Sequence, residues 1–280
     1  MSTPVAVLHG AFGRVCLYDM DRAMVVHAHR EGHLIFHVQG PAAEVVVDER
    51  RYPLGPGQAV AISPWQPHFY RPERAATNTL ALVLYIKPVW FIEAARSATS
   101  SLRFGRVGIE VAAPIARRIA HVARTMLAEI VTDQSVQGAL AELTQACFDQ
   151  SWQWTAEGGA FLGRVPQAWD FRIRRSLNLM REWLGEDFGL DEIARESGLS
   201  RPHFYKLFRE TMGLTPNIYL NALRMEHAIE RLSSTHDPVA DIGLDLGFAS
   251  QSSFSRFFIA NGVVAPSDYR RSVLVARPRA

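Results

Sequence analysis

Histidines are the side chains of this sequence best suited to chemistry, and they cluster near its start. Of ten histidines in 280 residues, four lie within eleven consecutive positions, at His27, His29, His33 and His37. His27 and His29 alternate and therefore point to one side of a predicted strand, and the turn REG that follows allows His33 to join them. His68, in the segment SPWQPHFY, completes the cluster if its strand is a neighbour. His37 lies beyond the cluster and is predicted to be an ordinary strand residue.

Converging imidazoles suit two kinds of site, and the sequence leaves both open. Three or four of them inside a small β-structure can hold a divalent iron or zinc ion and leave one coordination position free. The same side chains can instead form the polar wall of a pocket for a small organic effector. We predict such a pocket, without a metal or cofactor, and Arg30 together with the imidazoles favours an anionic effector. The predicted effector-binding residues are His27, His29, His33, Phe36, Trp65 and His68.

The composition is that of a globular protein with room for two domains. Apolar residues make up 48% of the chain, and 280 residues exceed the usual size of one folding unit. No apolar run reaches the roughly 18 residues needed to span a bilayer, and the start of the chain lacks a secretory signal pattern. We therefore expect a cytoplasmic location and no membrane partner. Cys16 and Cys147 are too few for a disulfide framework, which agrees with a reducing compartment.

The pattern of apolar and turn-forming residues changes twice along the chain. Between about residues 13 and 90, short apolar runs alternate with Gly- and Pro-rich turns, which predicts an antiparallel sandwich or barrel. A stretch containing Gly and Trp later precedes a run of helices from about Asp170. We divide the chain into residues 1–100, a sheet domain, residues 101–168, a helical segment and linker, and residues 169–275, a helical domain.

The middle segment has the periodicity of two amphipathic helices. Apolar side chains recur there at steps of three and four residues, so residues 111–150 are predicted to form a helical pair. Such a pair either packs onto the sheet or forms a dimer contact, and we expect it to mediate dimerisation. The apolar positions are Ile115, Ile119, Val122, Met126, Ile130, Leu140, Leu143 and Phe148.

An internal duplication defines the last domain. Leu190, Ile193, Ala194, Gly198 and Leu199 have counterparts 49 residues later, and Phe204, Leu207, Phe208, Pro216 and Tyr219 have counterparts 50 residues later. Each copy has the pattern of a helix-turn-helix unit. A small residue, Ala194 or Gly243, stands where the second helix must approach closely, and a glycine follows at the turn. Ser200 and Ser250 are placed to cap the second helices.

The duplication contains two longer segments of recognisable type. They are LDEIARESGLSRPHFYKLFRE with GLTP, and DIGLDLGFASQSSFSRFF with PSDYRR. Both resemble the motifs of the AraC/XylS family of bacterial transcription regulators, so residues 170–272 look like that family's DNA-binding domain. The resemblance implies seven helices, with a connecting helix over about residues 216–232 that holds both units against successive major-groove segments of double-stranded DNA. Gly262 stands four residues before its proline, whereas Gly213 stands three before Pro216, so we expect an altered loop after the second unit.

Helical geometry selects the DNA-contacting residues, because the face opposite the apolar anchors must be exposed. The net charge of +2 gives no guide, since any basic surface is local. The predicted DNA-binding residues are Ser200, Arg201, Pro202, Tyr205, Lys206 and Arg209 in the first unit and Ser250, Gln251, Ser252, Ser255 and Arg256 in the second. Arg256, Gln251, Lys206 and Tyr205 are expected to read base edges, and the capping serines to hold phosphates. For Arg201 and Arg209, phosphate contact and solvated surface charge remain equal alternatives.

The first domain resembles a second known architecture. His27 and His29 form an H-x-H pattern similar to the first motif of the cupin superfamily, which implies a cupin-like antiparallel β-barrel as the sensor domain. The pattern is incomplete: the carboxylate position holds His33 or Leu34, and the glycine expected six residues before His27 is Asp21. The predicted fold class is therefore α+β multidomain, with a cupin-like barrel and a helical pair followed by an all-α double helix-turn-helix domain.

These features favour a DNA-binding transcription regulator that is controlled by a small-molecule effector and is not an enzyme. We expect a homodimer that binds promoter DNA, and that contacts RNA polymerase if it activates transcription. One alternative is a cupin-type metal-dependent enzyme or metal sensor joined to a DNA-binding domain. Another is a regulator whose sensor domain has lost its ligand and serves only for dimerisation.

Overall fold

The computed structural model describes residues 2–74, 78–94, 102–127, 133–152, 170–186, 188–262 and 264–274. Both predicted domain boundaries, near residues 100 and 168, lie outside these ranges. The strands are β1 Thr3–Gly10, β2 Gly13–Met20, β3 Gly32–Gln39, β4 Ala43–Val47, β5 Arg50–Leu54, β6 Gln58–Ile62, β7 His68–Pro72, β8 Thr79–Ile86, β9 Gly108–Glu110 and β10 Val273–Leu274. The helices are α1 Pro88–Ala94, α2 Ala113–Met126, α3 Asp133–Ser151, α4 Phe171–Glu182, α5 Leu190–Glu196, α6 Arg201–Met212, α7 Pro216–Ser234, α8 Val239–Asp245, α9 Gln251–Gly262 and α10 Pro266–Ser272. None of the helices in these ranges is long and apolar enough to cross a membrane.

The strands form two sheets. The larger has the order β10-β1-β2-β8-β3-β6-β9, and the smaller has the order β5-β4-β7. Within the described part of the sheet domain every ladder is antiparallel, whereas β10, from the last helical domain, joins β1 in parallel. The predicted antiparallel fold is confirmed, but the described strands do not close into a barrel, because no ladder joins the smaller sheet to the larger one.

The alternation of side chains along β2 gives this domain two separate cores. Successive residues of a strand point to opposite faces. Cys16 and Tyr18 belong to the apolar cluster between the sheets, whereas Val15 and Leu17 belong to the cluster under α1, α2 and α3. The space between the sheets is therefore separated by one strand layer from the helix-covered face.

The predicted helical pair is present as α2 and α3. Pro114 lies in the first turn of α2, where its missing N–H is not needed. The apolar stripe packs on the larger sheet, in one cluster with residues of β1, β2 and β3. Of the predicted apolar positions, Ile115, Ile119, Val122, Met126, Leu140, Leu143 and Phe148 are buried, and Ile130 lies outside the described residues.

The prediction that His27 and His29 lie on a strand is wrong. Residues 21–31 follow β2 without regular structure, apart from an isolated bridge between His27 and His68. The backbone groups of this segment bond in two directions, from Met24 N to Tyr70 O in β7 and from Val25 N to Ala260 O in α9. A segment that divides its bonds in this way cannot form one continuous ladder.

The last domain contains two helix-turn-helix units, α5 with α6 and α8 with α9, joined by α7. Helices α4 to α10 are the seven that the family resemblance implies in this part of the described chain. Gly198 and Gly247 make the turns with positive φ, +74° and +78°, which glycine adopts without strain. Helix α6 ends at a left-handed Gly213, whereas α9 runs through Gly262, so the predicted difference between the two loops is confirmed.

Only one of the two predicted caps forms. Ser250 Oγ accepts a hydrogen bond from Ser253 N at 3.2 Å, as a cap does. Ser200 stands at the N-cap of α6, but its side chain makes no capping bond. Pro202 removes one of the two backbone donors that a capping hydroxyl can use, but the N–H of His203, the counterpart of Ser253, remains.

The helical domain docks on the sheet domain. Strand β10 pairs with β1 through Val7 and Val273. Nearby, His9 Nε2 lies 3.0 Å from the hydroxyl of Tyr269 in α10, a residue that is 2% exposed. The buried tyrosine therefore belongs to a contact between the two domains rather than to the helical core alone.

Gly243 lies where α8 and α9 approach each other closely enough to require a glycine. A Cβ at this position would lie 2.8 Å from Phe254 Cβ, closer than real contacts allow. We expect Gly243→Ala to lower the free energy of unfolding by about 1–3 kcal/mol, because the helices must separate. Gly138→Ala in α3 is the control, because a Cβ built there meets no atom of the described residues within 4 Å apart from its own stretch of helix, and it should raise stability by up to about 1 kcal/mol. Urea unfolding measures both, and equal effects would contradict the packing.

His9 gives the domain contact a dependence on pH. Burial, then the charges of Arg14 and Lys87, lower the pKa of His9 from 6.5 to about 4, against the opposing effect of Glu31. As the pH falls from 6.5 towards 4, the unfolded chain binds a proton at His9 that the folded chain does not, so the free energy of unfolding falls. We expect His9→Gln, which retains a polar partner for Tyr269, to reduce that loss by at most about 3 kcal/mol. Urea titrations across this pH window check it, and a slope equal to that of the wild type would refute it.

Candidate functional site

Four of the histidines predicted from the sequence meet in the structure. His27 lies in the irregular segment after β2, His33 near the start of β3 and His68 at the start of β7. The rings of His27 and His68 are 4.3 Å apart between centroids, those of His29 and His33 4.9 Å, and those of His33 and His68 5.1 Å. One ring nitrogen each of His27, His29 and His68 lies within 4.8 Å of the other two. We call these four residues the histidine cluster.

Backbone carbonyl groups fix the tautomers of the cluster. Three of the four rings place Nδ1 against a carbonyl oxygen, which only accepts, so Nδ1 carries the proton and Nε2 is bare. The acceptors are Val25 O for His27, Glu31 O for His29 and Gln66 O for His68, at 2.9, 3.0 and 2.8 Å. His29 Nε2 then accepts from His33 Nδ1 at 2.8 Å. By this chain of hydrogen bonds, Nε2 of His33 is bare as well.

Burial keeps the cluster neutral. It lowers the pKa of His27 from 6.5 to about 4, and the pKa values of His29, His33 and His68 fall well below 6.5, again chiefly by burial. His33 is 3% exposed and His68 2%, and Nε2 of each has no hydrogen-bond partner in the described part of the protein. A buried acceptor left without a partner costs about 1–3 kcal/mol. The cluster therefore presents unsatisfied lone pairs.

A cleft opens beside the cluster, between the two domains. It encloses about 640 Å³ of space, a figure that includes open solvent at its mouth. One wall comes from the sheet domain and the other from α7, α9 and α10. The lining residues are Arg14, Tyr18, His27, Ala28, His29, Arg30, Glu31, Trp65 and Tyr85 on the first wall and Asn221, Ala222, Met225, Glu226, Ile229, Phe258, Asn261, Gly262 and Tyr269 on the second.

Arg14 supplies a buried positive charge to this cleft, and it was not among the residues predicted from the sequence. The residue is 9% exposed, its Nη1 lies 3.3 Å from Glu31 Oε1, and its guanidinium stacks 3.6 Å from the centre of the Tyr85 ring. Its Nε has no hydrogen-bond partner among the described residues. The signal was available, because Arg14 has the same parity along β2 as Cys16 and Tyr18, which face inward.

Trp65 lines the cleft and reaches the other domain. Its ring stacks on that of Tyr219 in α7, with centroids 5.0 Å apart. Its backbone has a φ of +64°, a conformation that costs energy in a residue other than glycine. Next to it, Arg30 forms an ion pair with Glu226 at 3.2 Å, so Arg30 belongs to the domain contact.

The position of Phe36 contradicts the prediction from the sequence that this residue lines the pocket. It is fully buried, but in the cluster under the helices, together with Leu34. His33 and Ile35 face the opposite side of β3, towards the space between the sheets. Since residues three apart on a strand face opposite ways, Phe36 does not share a pocket with His33. His37 lies outside the cluster, with its Nε2 2.9 Å from Gly40 O.

The outer faces of α6 and α9 carry the residues predicted to contact DNA. Phe204 and Phe208 anchor the first helix and Phe254 and Phe258 the second, all at most 1% exposed. Tyr205 and Ser255 are half-buried. The exposed residues of the predicted set are Ser200, Arg201, Pro202, Lys206 and Arg209 in the first unit and Ser250, Gln251, Ser252 and Arg256 in the second.

Besides Ser250, which caps α9, Arg201 and Tyr205 have partners within the protein. Arg201 Nη1 lies 2.9 Å from Asp191 Oδ2, and both side chains are more than 60% exposed. Such a surface pair contributes little to stability, so the guanidinium can exchange its partner for a phosphate. Tyr205 accepts a hydrogen bond from Asn217 Nδ2 at 3.3 Å, which ties α6 to the first turn of α7.

Comparison with known proteins accounts for both domains. Residues 193–272 match a family described as a helix-turn-helix domain, and residues 13–146 match a family described as an AraC-like ligand binding domain. The regulatory protein SoxS of Salmonella typhimurium is 36% identical over 98 residues, which cover 35% of this chain and 92% of SoxS. The probable transcriptional regulator LumQ of Photobacterium leiognathi is 24% identical over 253 residues, 90% of this chain and 94% of LumQ.

Solved structures of ToxT from Vibrio cholerae share the fold. A single-residue variant of ToxT in its apo form aligns with a TM-score of 0.62 at 15% identity, over 94% of this chain and 98% of that one. Wild-type ToxT with a bound unsaturated fatty acid aligns with a TM-score of 0.60 at 17% identity, over 94% and 97%. From the matched families, SoxS and the repeated helix-turn-helix, it follows that this chain belongs to the AraC family of transcription regulators, and that it is a DNA-binding regulator controlled by a small molecule that its N-terminal domain binds.

Proposed function

We propose that the cleft between the domains is the effector site. The observation that carries this proposal is that both domains line the cleft, with Arg14 and His29 on one wall and Met225, Phe258 and Asn261 on the other. A molecule bound there contacts the sheet domain and the helices that hold the recognition helices. Its affinity therefore depends on how the two domains are arranged, and binding shifts that arrangement.

The chemistry of the cleft favours an anion with an apolar body. Arg14 supplies a buried positive charge with an unsatisfied Nε, and an Arg–carboxylate contact is the strong form of such a hydrogen bond. Met225, Ile229 and Phe258 supply apolar surface on the facing wall. ToxT, which has this fold, holds a ligand of that class in its structure with an unsaturated fatty acid. We therefore propose a carboxylic acid with an apolar chain or ring as the effector.

The remaining roles are assigned on the same basis. We place the functional divisions at residues 1–100, 101–168 and 169–275, and we assign binding rather than catalysis to the cleft, since the relatives are regulators.

The protein acts in the cytoplasm as a homodimer through its helical pair, and it contacts RNA polymerase where it activates transcription. Leu127, 60% exposed at the end of α2, supports the dimer surface. Sedimentation of the wild type and of Leu127→Glu tests that surface.

DNA recognition is assigned to equivalent positions of the two units. Lys206 and Arg256 each stand two residues after a buried phenylalanine, and both are exposed on the outer face of their helix. Lys and Arg suit guanine O6 and N7, and Gln251 suits adenine. Ser200, Ser250 and Arg201, near the helix starts, hold phosphates. The remaining predicted residues, Pro202, Tyr205, Arg209, Ser252 and Ser255, complete the interface.

Alanine substitutions test this interface. We expect Lys206→Ala and Arg256→Ala each to weaken binding to the cognate site by about 1–3 kcal/mol, without loss of helical circular dichroism. Arg51→Ala removes one positive charge from an exposed position of β5 and is the matched control. Fluorescence anisotropy on a selected operator sequence measures the affinities. Unchanged affinity in both variants, or an equal loss in the control, would remove these residues from the interface.

Paired ligands test the effector site. We expect medium-chain and long-chain fatty acids to raise the melting temperature of the wild type, whereas the matching primary amides, which lack the charge, do not. A ligand at one hundred times its Kd stabilises the native state by about 2.7 kcal/mol. Arg14→Gln should abolish the shift.

The control for that test is Arg71→Gln, in β7 at the surface, whose Nη2 pairs with Glu44 outside the cleft. It should retain the full shift. Acid and amide acting alike on the wild type would contradict an Arg14-bound carboxylate, and this comparison holds even if Arg14→Gln fails to fold.

A further inference from the structure

We propose that the histidine cluster is a binding site for a divalent first-row transition metal ion, with His27, His29 and His68 as ligands. This proposal departs from the prediction from the sequence, which was a pocket without a metal. This site shares His27 and His29 with the wall of the cleft, but Arg14 is not among its ligands and the proposal does not rest on the anion site. The proposal rests on the geometry of the four rings and on atoms that the protein itself leaves unsatisfied. The relevant class is zinc and its neighbours iron, cobalt, nickel and copper, for which imidazole is a suitable ligand.

The first observation is the distance between donor atoms. One ring nitrogen from each of the three ligands lies within 4.8 Å of the others. A tetrahedral ion with Zn–N bonds of about 2.0–2.1 Å needs nitrogens about 3.3 Å apart. Each ring therefore has to move by less than about 1 Å, which a side-chain rotation supplies.

The second observation is the orientation of the rings. Nδ1 of His27, His29 and His68 is held by a backbone carbonyl, and these bonds direct the bare Nε2 atoms away from the backbone. Metal-ligating histidines are held in this way, with the second ring nitrogen donating to a carbonyl or carboxylate. Packing alone does not require three neighbouring histidines each to donate Nδ1–H to a backbone carbonyl.

The third observation is the unsatisfied nitrogen atoms. Nε2 of His68 and Nε2 of His33 are both buried, and neither has a hydrogen-bond partner among the described residues. A cation satisfies several lone pairs at once. Ligation requires His29 Nε2 to exchange its contact with His33 Nδ1 for the ion. His33 then serves as a positioning residue at the edge of the site, or as a fourth ligand if its ring turns.

The donor set also defines the kind of site. Three neutral imidazoles leave at least one coordination position open, unlike the closed four-ligand sites of structural zinc. His27 and His29 line the cleft, whereas His27, His33 and His68 line a second, smaller hollow between the sheets. The ion thus lies in the wall between the two spaces. It joins the irregular segment after β2 to β7, so binding should stiffen the sensor domain.

Cobalt binding to the full-length protein, purified without an affinity tag and stripped with a chelator, tests the proposal. We expect one equivalent of Co²⁺ to bind, with the intense visible absorption of a four- or five-coordinate ion, and to raise the melting temperature. His27→Gln and His68→Gln should each weaken binding by on the order of 100-fold or more, since each removes a direct ligand. His33→Gln should weaken it less.

The control is His37→Gln, from the same run of histidines but hydrogen-bonded to Gly40 O outside the cluster. It should bind cobalt like the wild type. Weak, hydrated-type absorption, or equal affinity in wild type and His27→Gln, would overturn the proposal and leave the cluster as a polar pocket wall that water satisfies. His27 is only half-buried, so its variant decides the question if His68→Gln does not fold.

Discussion

The structure depends on the docking of the helical domain against the first strand of the sheet domain. Tyr269 is buried beside His9, and β10 continues from α10 into a parallel pairing with β1. These contacts bring α7 and α9 opposite Arg14 and the histidine cluster. Without them the cleft would have one wall, and the charge of Arg14 would face solvent. The arrangement of the domains and the existence of the cleft that we propose as the effector site are thus one physical constraint.

That constraint explains how a small molecule can act on DNA binding. At the rim of the cleft, the Trp65 ring stacks on Tyr219, and Arg30 pairs with Glu226 through side chains that are both 43% exposed. Such exposed ion pairs are individually weak. An effector that binds one arrangement of the domains more tightly than another by only a few kcal/mol is enough to change which arrangement dominates. Helix α7, which lines the cleft and joins both helix-turn-helix units, is the direct mechanical link.

The helical domain was predictable to a degree that the cleft was not. Its core positions recur at a fixed spacing, and the turn glycines follow from local backbone geometry, so the repeat alone specified both units. Strands β1, β9 and β10 lie outside the region of about residues 13–90 in which strands were predicted. The cleft joins Arg14 to Tyr269, residues far apart in the chain, and no local periodicity encodes that contact. Phe36 was misplaced through neglect of strand parity, which the sequence did contain.

Electrostatics relates the two proposed sites to each other. The cluster is held neutral by burial, so its wall repels neither an anion nor a cation, and the buried guanidinium of Arg14 is the charge that an anion meets beside it. A divalent ion at His27, His29 and His68 would add positive charge to the same wall, because two of these residues line the cleft. Ion and anionic effector would then favour each other's binding, and by linkage the coupling energy is equal in both directions. Glu31, paired with Arg14 and 3.5 Å from His29 Nδ1, is a carboxylate placed to moderate that field from both sides.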